Sequence, residues 1–278
     1  FRSIKIVYYG RNKYMFKETF SIFKNIFQNK KLLLQFSFND FKAKYAGSAL
    51  GIVWAFLTPL VTVLTYWFVF SVGLRSRAGD NMPFIVYLVT GMVPWFFFSD
   101  SLLSATNVFR EYSYLVKKVV FNVQILPTSK ILSNLYTHLF FILIGFVITT
   151  ANGYYPSLYS LQLIYYLACL LVFLTAITWI TASTQPFLPD IMQFINIIMQ
   201  TVMWTLPILW QPTGMIATIL KINPLYYIVQ GYRESYLGGA WFWEHWQYSL
   251  YFWGVTIVLL LIGSTVFRRL KPHFSDVL

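Results

Sequence analysis

The sequence predicts an all-α polytopic membrane protein with six transmembrane helices, an N-terminal amphipathic interface helix, and re-entrant external helices between spans five and six. Three observations predict it. Of the 278 residues 58% are hydrophobic and 21% aromatic while only 11% are charged, against the about 25% typical of a soluble domain. Uncharged stretches long enough to cross a bilayer, about 20 residues each, recur along the chain. The 21 Lys and Arg outnumber the 9 Asp and Glu, and they cluster between those stretches. The net charge of +12 therefore reads as a topology signal, with a secondary attraction to anionic membrane lipid. Nucleic acid is not expected as a partner.

The elements follow in order. Residues 1–45 form an N-terminal region and residues 46–278 a six-helix transmembrane domain. The opening residues lack the compact apolar core and small-residue cleavage site of a signal peptide, and a start at Phe1 suggests residues upstream. In DFKAKYAGSALGIVWAFLTPL, residues 40–60, a basic and aromatic segment gives way to a long apolar one. Leu34, Phe38, Phe41 and Tyr45 stand four, three and four apart, one stripe of a helix. Lys31, Lys42 and Lys44 flank that stripe, with Asn39 and Asp40 on the far face. Such a helix lies in the membrane plane, apolar side down and lysines at the headgroups. It serves either as an inert anchor or as a working surface. Gly47 and Gly51 then allow a turn into the first span and form a small-xxx-small pair.

The spans are expected at about 52–74, 84–106, 127–151, 161–185, 191–211 and 246–267. The turn-rich NGYYPSLYS at 152–160 separates the third from the fourth, and Arg268, Arg269 and Lys271 close the sixth. Six crossings put both termini on one side. Seventeen of the 21 basic residues fall on that side, leaving only Arg75, Arg77, Lys221 and Arg233 on the other. The positive-inside rule makes the richer side cytoplasmic.

Two connections are unusual. The cytoplasmic loop 109–126 carries a short mixed apolar and basic stretch, Tyr114 to Phe121, before Pro127 opens span three. It is either a docking knob for a cytoplasmic partner or a plain connector. The external segment 212–245 is hydrophobic yet broken by Asn223-Pro224 and Gly238-Gly239, and it holds Lys221, Arg233, Glu234 and Glu244. Each half is too short to span. Two short helices dipping into the outer leaflet fit it, with an ordinary amphipathic surface loop as the alternative.

Several chemistries are missing. No G-x-x-x-x-G-K-[ST] cradles a nucleotide, and neither H-E-x-x-H nor G-x-S-x-G occurs. The single cysteine, Cys169, lies in an apolar run and reads as a small packed hydrophobe. His138 falls in span three with no acidic partner in view, which points to helix–helix hydrogen bonding. Neither a catalytic set nor a metal-ligating set is expected. The spans are rich in aromatics instead, among them Trp54, Tyr66, Trp67, Phe70, Trp95 and Trp204. Aromatic rings suit a path for sugars, whose C–H faces pack on them, but each ring also reads as lipid or core packing. A membrane-embedded transferase acting on polyprenyl phosphates is the rival from another functional class.

Three stretches together carry a resemblance. D-F-K-x-K-Y-x-G-S-x-L-G-I-x-W leads into a first span containing Pro59. Leu115-Val116-Lys117-Lys118 with Leu126-Pro127 follows span two. Asn223-Pro224-Leu225-Tyr226-Tyr227 with Arg233 stands near the end. Over about residues 30–278 the chain resembles permease subunits of ABC exporters of lipid-linked polysaccharides, the O-antigen and wall teichoic acid group. The tail RRLKPHFSDVL looks like the teichoic acid branch.

The resemblance implies a subunit without catalysis of its own. It would work as a dimer with a second copy of itself, bound to two copies of an ABC ATPase that holds ATP and Mg. It would export undecaprenyl-diphosphate-linked wall teichoic acid, or alternatively O-antigen or capsular polysaccharide, across a bacterial plasma membrane with both termini cytoplasmic. By the same resemblance Tyr114, Leu115, Val116, Lys117, Lys118 and Phe121 would couple to the ATPase. Lys42, Lys44 and Arg110 would meet the diphosphate at the entrance. Asn223, Pro224, Tyr226, Arg233 and Glu234 would form an external gate, and spans one and five would line the route.

Overall fold

A computed structural model describes residues 24, 26, 28–75, 82–118 and 121–278. Most of the N-terminal region 1–45 ahead of its helix, with Arg77 and Asp80, lies outside these residues. Among the described residues the elements are helical throughout. They are α1 (Lys30–Lys44), α2 (Trp54–Trp67, preceded by a 3-10 turn and prolonged by a π turn through Gly73), α3 (Phe84–Thr106), α4 (Val108–Glu111), α5 (Ser113–Val116) and α6 (Ile125–Ala151). There follow α7 (Gln162–Thr184), α8 (Ile191–Thr205), α9 (Gly214–Leu220), α10 (Pro224–Leu237), α11 (Trp246–Leu270) and α12 (Phe274–Val277). Five segments are long and apolar enough to cross a membrane: Gly51–Gly73, Phe84–Thr106, Ile125–Ala151, Leu158–Thr184 and the segment beginning at Trp246. The chain is a multi-pass membrane protein.

The expected span 191–211 is not among the five. Its helix stops at Thr205, because Leu206 precedes Pro207 and takes an extended conformation, ψ 151°. Fifteen helical residues rise only about 22 Å, short of the ~30 Å hydrocarbon core. The chain nevertheless runs the length of the bundle between Gln185 and Pro207. Gln185 donates to Asn107 at the C-terminal end of α3 (3.3 Å), while the carbonyl of Pro207 lies at its N-terminal end, near Tyr87.

The centre of the bundle is α3, apolar on every side and buried through most of its length. Two of its threonines are satisfied locally: Thr90 and Thr106 donate to the carbonyls of Val86 and Leu102, and Thr106 also meets Thr181 of α7 at 2.8 Å, whereas the buried Ser101 hydroxyl has no partner among the described residues. Around it pack α6, α7 and α10, with α11 along α7. Cys169 is buried in this core, as expected of a small hydrophobe. The helix α2 sits at the periphery and leaves Val61, Leu64 and Phe68 exposed. A second apolar cluster, with Phe109, Trp179, Phe267 and Phe274 at its heart, closes the other end of the bundle.

The helix α1 corrects one expectation. Its protein-facing side is Leu33, Ser37, Asp40 and Phe41, whereas Leu34 and Phe38 are exposed. Asp40, placed by the apolar stripe on the far face, is buried. A stripe shows which residues avoid water but not which of two greasy surroundings, lipid or protein, receives them. The buried acid was decided by a cation elsewhere in the chain.

The segment 212–245 does hold two short helices. Asn223 caps α10 by accepting from the Leu225 amide (3.0 Å), with Pro224 in the first turn. Gly238, φ 75°, ends it in a conformation that favours glycine. Far from lying on the surface, α10 buries Tyr227, Ile228, Val229, Tyr232 and Tyr236. Its close approach to α7 depends on Gly231, where an added Cβ would collide with the Tyr166 ring. Gly231→Ala is accordingly expected to lower stability by about 1–3 kcal/mol. Gly254→Ala, where the added methyl meets nothing within 4 Å, should leave the thermal midpoint in detergent unchanged or slightly raised. Equal midpoints for the two variants would contradict this packing.

Candidate functional site

Two polar centres stand at opposite ends of the bundle. At the end formed by α1, α4 and the start of α6, the Lys130 ammonium donates to Asp40 Oδ1 and to Glu111 Oε1, each at 2.6 Å. The Lys130 and Asp40 side chains are only 7% and 4% exposed. Tyr112 donates to the same Asp40 oxygen, and its ring lies 5.0 Å from the Lys130 ammonium. Burial and the bond to Asp40 push the Tyr112 phenol well above its usual range, so it stays a donor. A buried acid is tolerable only with such partners. One turn along α6, Asn134 accepts from Lys44 (3.3 Å) and donates to Ser104 of α3 (2.8 Å). Burial, with the charge of Asp100, pushes the nearby Tyr45 phenol up to about 12. This junction joins α1, the α4–α5 turn, α3 and α6.

The residues read as an entrance lie around it. Lys42 is exposed with its ammonium 4.3 Å from the Phe38 ring, Arg110 is exposed on α4, and Lys44 is engaged with Asn134. In the 109–126 loop, α4 and α5 are two four-residue turns. Tyr114, Lys117 and Lys118 project, while Leu115, Val116 and Phe121 pack on the apolar cluster beneath. Residues 119 and 120 of the expected coupling stretch lie outside the described residues.

The other end holds a cavity of about 720 Å³, within the usual range for small-ligand sites. Tyrosines line it from several parts of the chain: Tyr87 of α3, Tyr154 just after α6, Tyr166 of α7, Tyr226 and Tyr227 of α10, Tyr248 and Tyr251 of α11. Several hydroxyls hold the walls, Tyr87 donating to the Trp210 carbonyl (2.9 Å), Tyr251 to that of Ile222 (2.7 Å), and Tyr227 meeting Ser249 (2.7 Å). Arg233, 6% exposed, stacks on the Tyr87 ring at 3.8 Å and donates to the carbonyls of Tyr87 (3.2 Å) and Pro207 (2.6 Å). Its Nε is buried without a partner. Glu234 accepts from Gln230 (3.2 Å) and faces His245 at 3.4 Å. Burial raises the Glu234 carboxyl above its usual value, with the Gln230 and His245 contacts opposing.

The aromatics read as a path do not come together within one chain. Trp95 is buried in the core, Trp54 and Trp204 are exposed, Phe70 stacks on Phe84, and Tyr66 and Trp67 are half-buried; none lines the cavity. Of the gate residues, Pro224, Tyr226, Arg233 and Glu234 line it, and Asn223 acts as a cap. His138 makes the expected helix–helix bond, to Tyr232 of α10 at 2.9 Å. Sequence reasoning missed Asp40, Glu111 and Lys130 as a set. Its one available signal was an acid in an otherwise basic helix. Among the described residues no three His, Cys, Asp or Glu side chains gather as a metal site would require.

A family model described as ABC-2 type transporter matches residues 32–237. The chain belongs to that family. The match runs from α1 to the end of α10, so it takes in the Lys130 junction and the α10 wall of the cavity. Among curated relatives, the O-antigen export system permease protein of Myxococcus xanthus is 26% identical over 262 residues, 91% of this chain and 97% of its own length. Two such permeases of Klebsiella pneumoniae are 27% and 26% identical, each over 89% of this chain and 95% of its own length.

In this ABC-2 type transporter, Lys130→Met should strand Asp40 and cost about 3–5 kcal/mol, the usual penalty for an uncompensated buried charge. The Asp40→Asn, Lys130→Met double variant should cost clearly less than the sum of the two single variants. Strict additivity in thermal unfolding of the solubilised protein would show that the pair does not act as a unit.

Proposed function

We propose that the chain is the membrane subunit of an ATP-driven exporter that carries a lipid-linked polysaccharide of the O-antigen type from the inner to the outer leaflet. The observation that carries this is the alignment of nine-tenths of the chain with permeases named for O-antigen export, together with the family. A transporter family leaves the transferase reading without footing.

The parts then take roles. The membrane is the bacterial plasma membrane and both termini are cytoplasmic, consistent with the basic residues around the Lys130 junction. The fifth of six crossings is α8, continued past Thr205 by the turn at Leu206–Leu209. ATP and Mg are held by a separate ABC ATPase, two copies serving two copies of this chain. Its groove receives α4–α5 with the projecting Tyr114, Lys117 and Lys118. The exposed Lys42 and Arg110, with Lys44, meet the substrate diphosphate at the entrance. On the outer side α9 and α10 form the gate, with the aromatics of α2 and α8 facing a route completed by the second copy. A teichoic acid substrate is the second reading, favoured by the tail RRLKPHFSDVL at 268–278.

The test is to draw the tagged chain from its native membrane in mild detergent and assay ATP hydrolysis in what accompanies it. A stoichiometric ATPase is expected, and it should be lost when residues 113–121 are replaced by a Gly-Ser linker that leaves membrane insertion intact. A chain that purifies alone, with no nucleotide hydrolysis, would overturn the exporter reading. Neutralising Lys42 and Lys44 together should cut polymer export at least tenfold with ATPase recruitment unchanged; full export would remove their role at the diphosphate.

A further inference from the structure

We propose that the tyrosine-lined cavity at the α10 end is a binding site for an acidic sugar, a saccharide unit carrying one carboxylate or phosphate group. The proposal deepens the exporter reading and rests on it for the sidedness of the cavity.

Two independent features point to this ligand. The first is the wall. Seven tyrosines, six of them from four helices and Tyr154 from just after α6, line a space of about 720 Å³, and rings present π faces on which the C–H faces of a sugar pack. Aliphatic side chains would suit a lipid tail better, yet they are a minority here, and phenols also offer polar edges. Hydroxyls of Tyr87, Tyr227 and Tyr251 are tied to Trp210, Ser249 and Ile222. The walls are therefore held before a ligand arrives, which lowers the ordering cost of binding.

The second feature is charge. Arg233 is buried, and among the described residues no carboxylate lies within ion-pair distance of it; its bonds go to two carbonyls and Gln230, and its Nε has no partner. Its sequence neighbour Glu234 is turned to Gln230 and His245 instead. Lys221, half-buried at the rim, rests 5.2 Å from the Tyr248 ring and likewise has no carboxylate partner among the described residues. Two cations against one carboxylate leave the cavity positive. A buried cation without a counter-charge is costly, and an anionic group on the ligand would relieve that cost through charge-assisted bonds.

The test uses the full chain in phosphatidylethanolamine nanodiscs, without nucleotide, titrated calorimetrically with three probes: a glucuronate-containing disaccharide, the matched neutral disaccharide and inorganic phosphate. The acidic disaccharide should bind about tenfold or more tighter than the neutral one, and phosphate should compete only weakly. Arg233 also holds Tyr87 and Pro207, so its replacement tests folding first. Lys221→Gln, at the rim, carries the charge test and should remove most of the preference for the acidic sugar. Tyr248→Ala should weaken both disaccharides by the same factor. Equal affinity for the two disaccharides, phosphate competing as well as the acidic sugar, or displacement by phosphatidylglycerol added to the discs would each overturn the proposal. Loss of ATPase recruitment with sugar binding intact would overturn the exporter reading alone.

Discussion

The arrangement at one end of the molecule depends on a single buried cation. Lys130 stands in the first turns of α6, where a bare ammonium among apolar helices would be intolerable. Its two carboxylate partners come from sequence positions 90 and 19 residues away, Asp40 on α1 and Glu111 on α4. Satisfying that one charge draws α1 against α6 and fixes the start of the loop after α3. It explains why α1 turns a polar residue inward and leaves Leu34 and Phe38 outside, free for a membrane surface. The helix α1 is thus held by an ionic clasp, with Phe41 turned inward beside it and Leu34 and Phe38 left for the surroundings.

The opposite end is built on other terms. There the chain assembles rings: α10 enters the bundle because its tyrosines find helical neighbours and because Gly231 lets the Tyr166 ring lie against its backbone. The charges present, Arg233 and Glu234, form no ion pair with one another. An ionic clasp resists opening until a whole pair is broken, whereas ring contacts slide at low cost. The Lys130 end therefore suits a fixed joint and the tyrosine end a surface that receives something.

Much of this was legible in the sequence. Runs without charge located the spans closely; Phe84–Thr106 matches its expected bounds, and Asn223-Pro224 and Gly238 bound α10 for the capping reasons that a sequence displays. At 191–211 the helix stops short of the expected end, at Thr205, because Leu206 before Pro207 leaves the helical conformation and the backbone constraint prevails over apolarity. Periodicity failed at Asp40, since it registers a helix face but not a partner 90 residues distant. The cavity was half visible. Tyr226, Arg233 and Glu234 were singled out from one segment, while Tyr87, Tyr166 and Tyr251 lie on three others that only folding brings to it.

The two ends are joined by one helix face. Along α6, Lys130 meets α1 and α4, Asn134 meets Lys44 and Ser104, His138 meets Tyr232 of α10, and the Ile142 carbonyl accepts from Tyr236, whose hydroxyl lies over Gly145. The steps of four residues, closing with three, make a single stripe that rises about 22 Å from Lys130 to Gly145. These side-chain bonds from α6 to its neighbours all lie on this line, while Tyr136, off it, packs its ring on Phe38 and Phe41 of α1. A shift of α6 relative to α1 breaks the clasp, and a shift relative to α10 breaks the buried His138 bond and the Tyr236 bond. These bonds tie α1 and α10 to α6, while Arg233 ties α10 in turn to Tyr87 of α3 and to Pro207 just after α8. Spatial continuity alone does not make a signalling path. It does show that α6 is the element to which both polar ends are bonded.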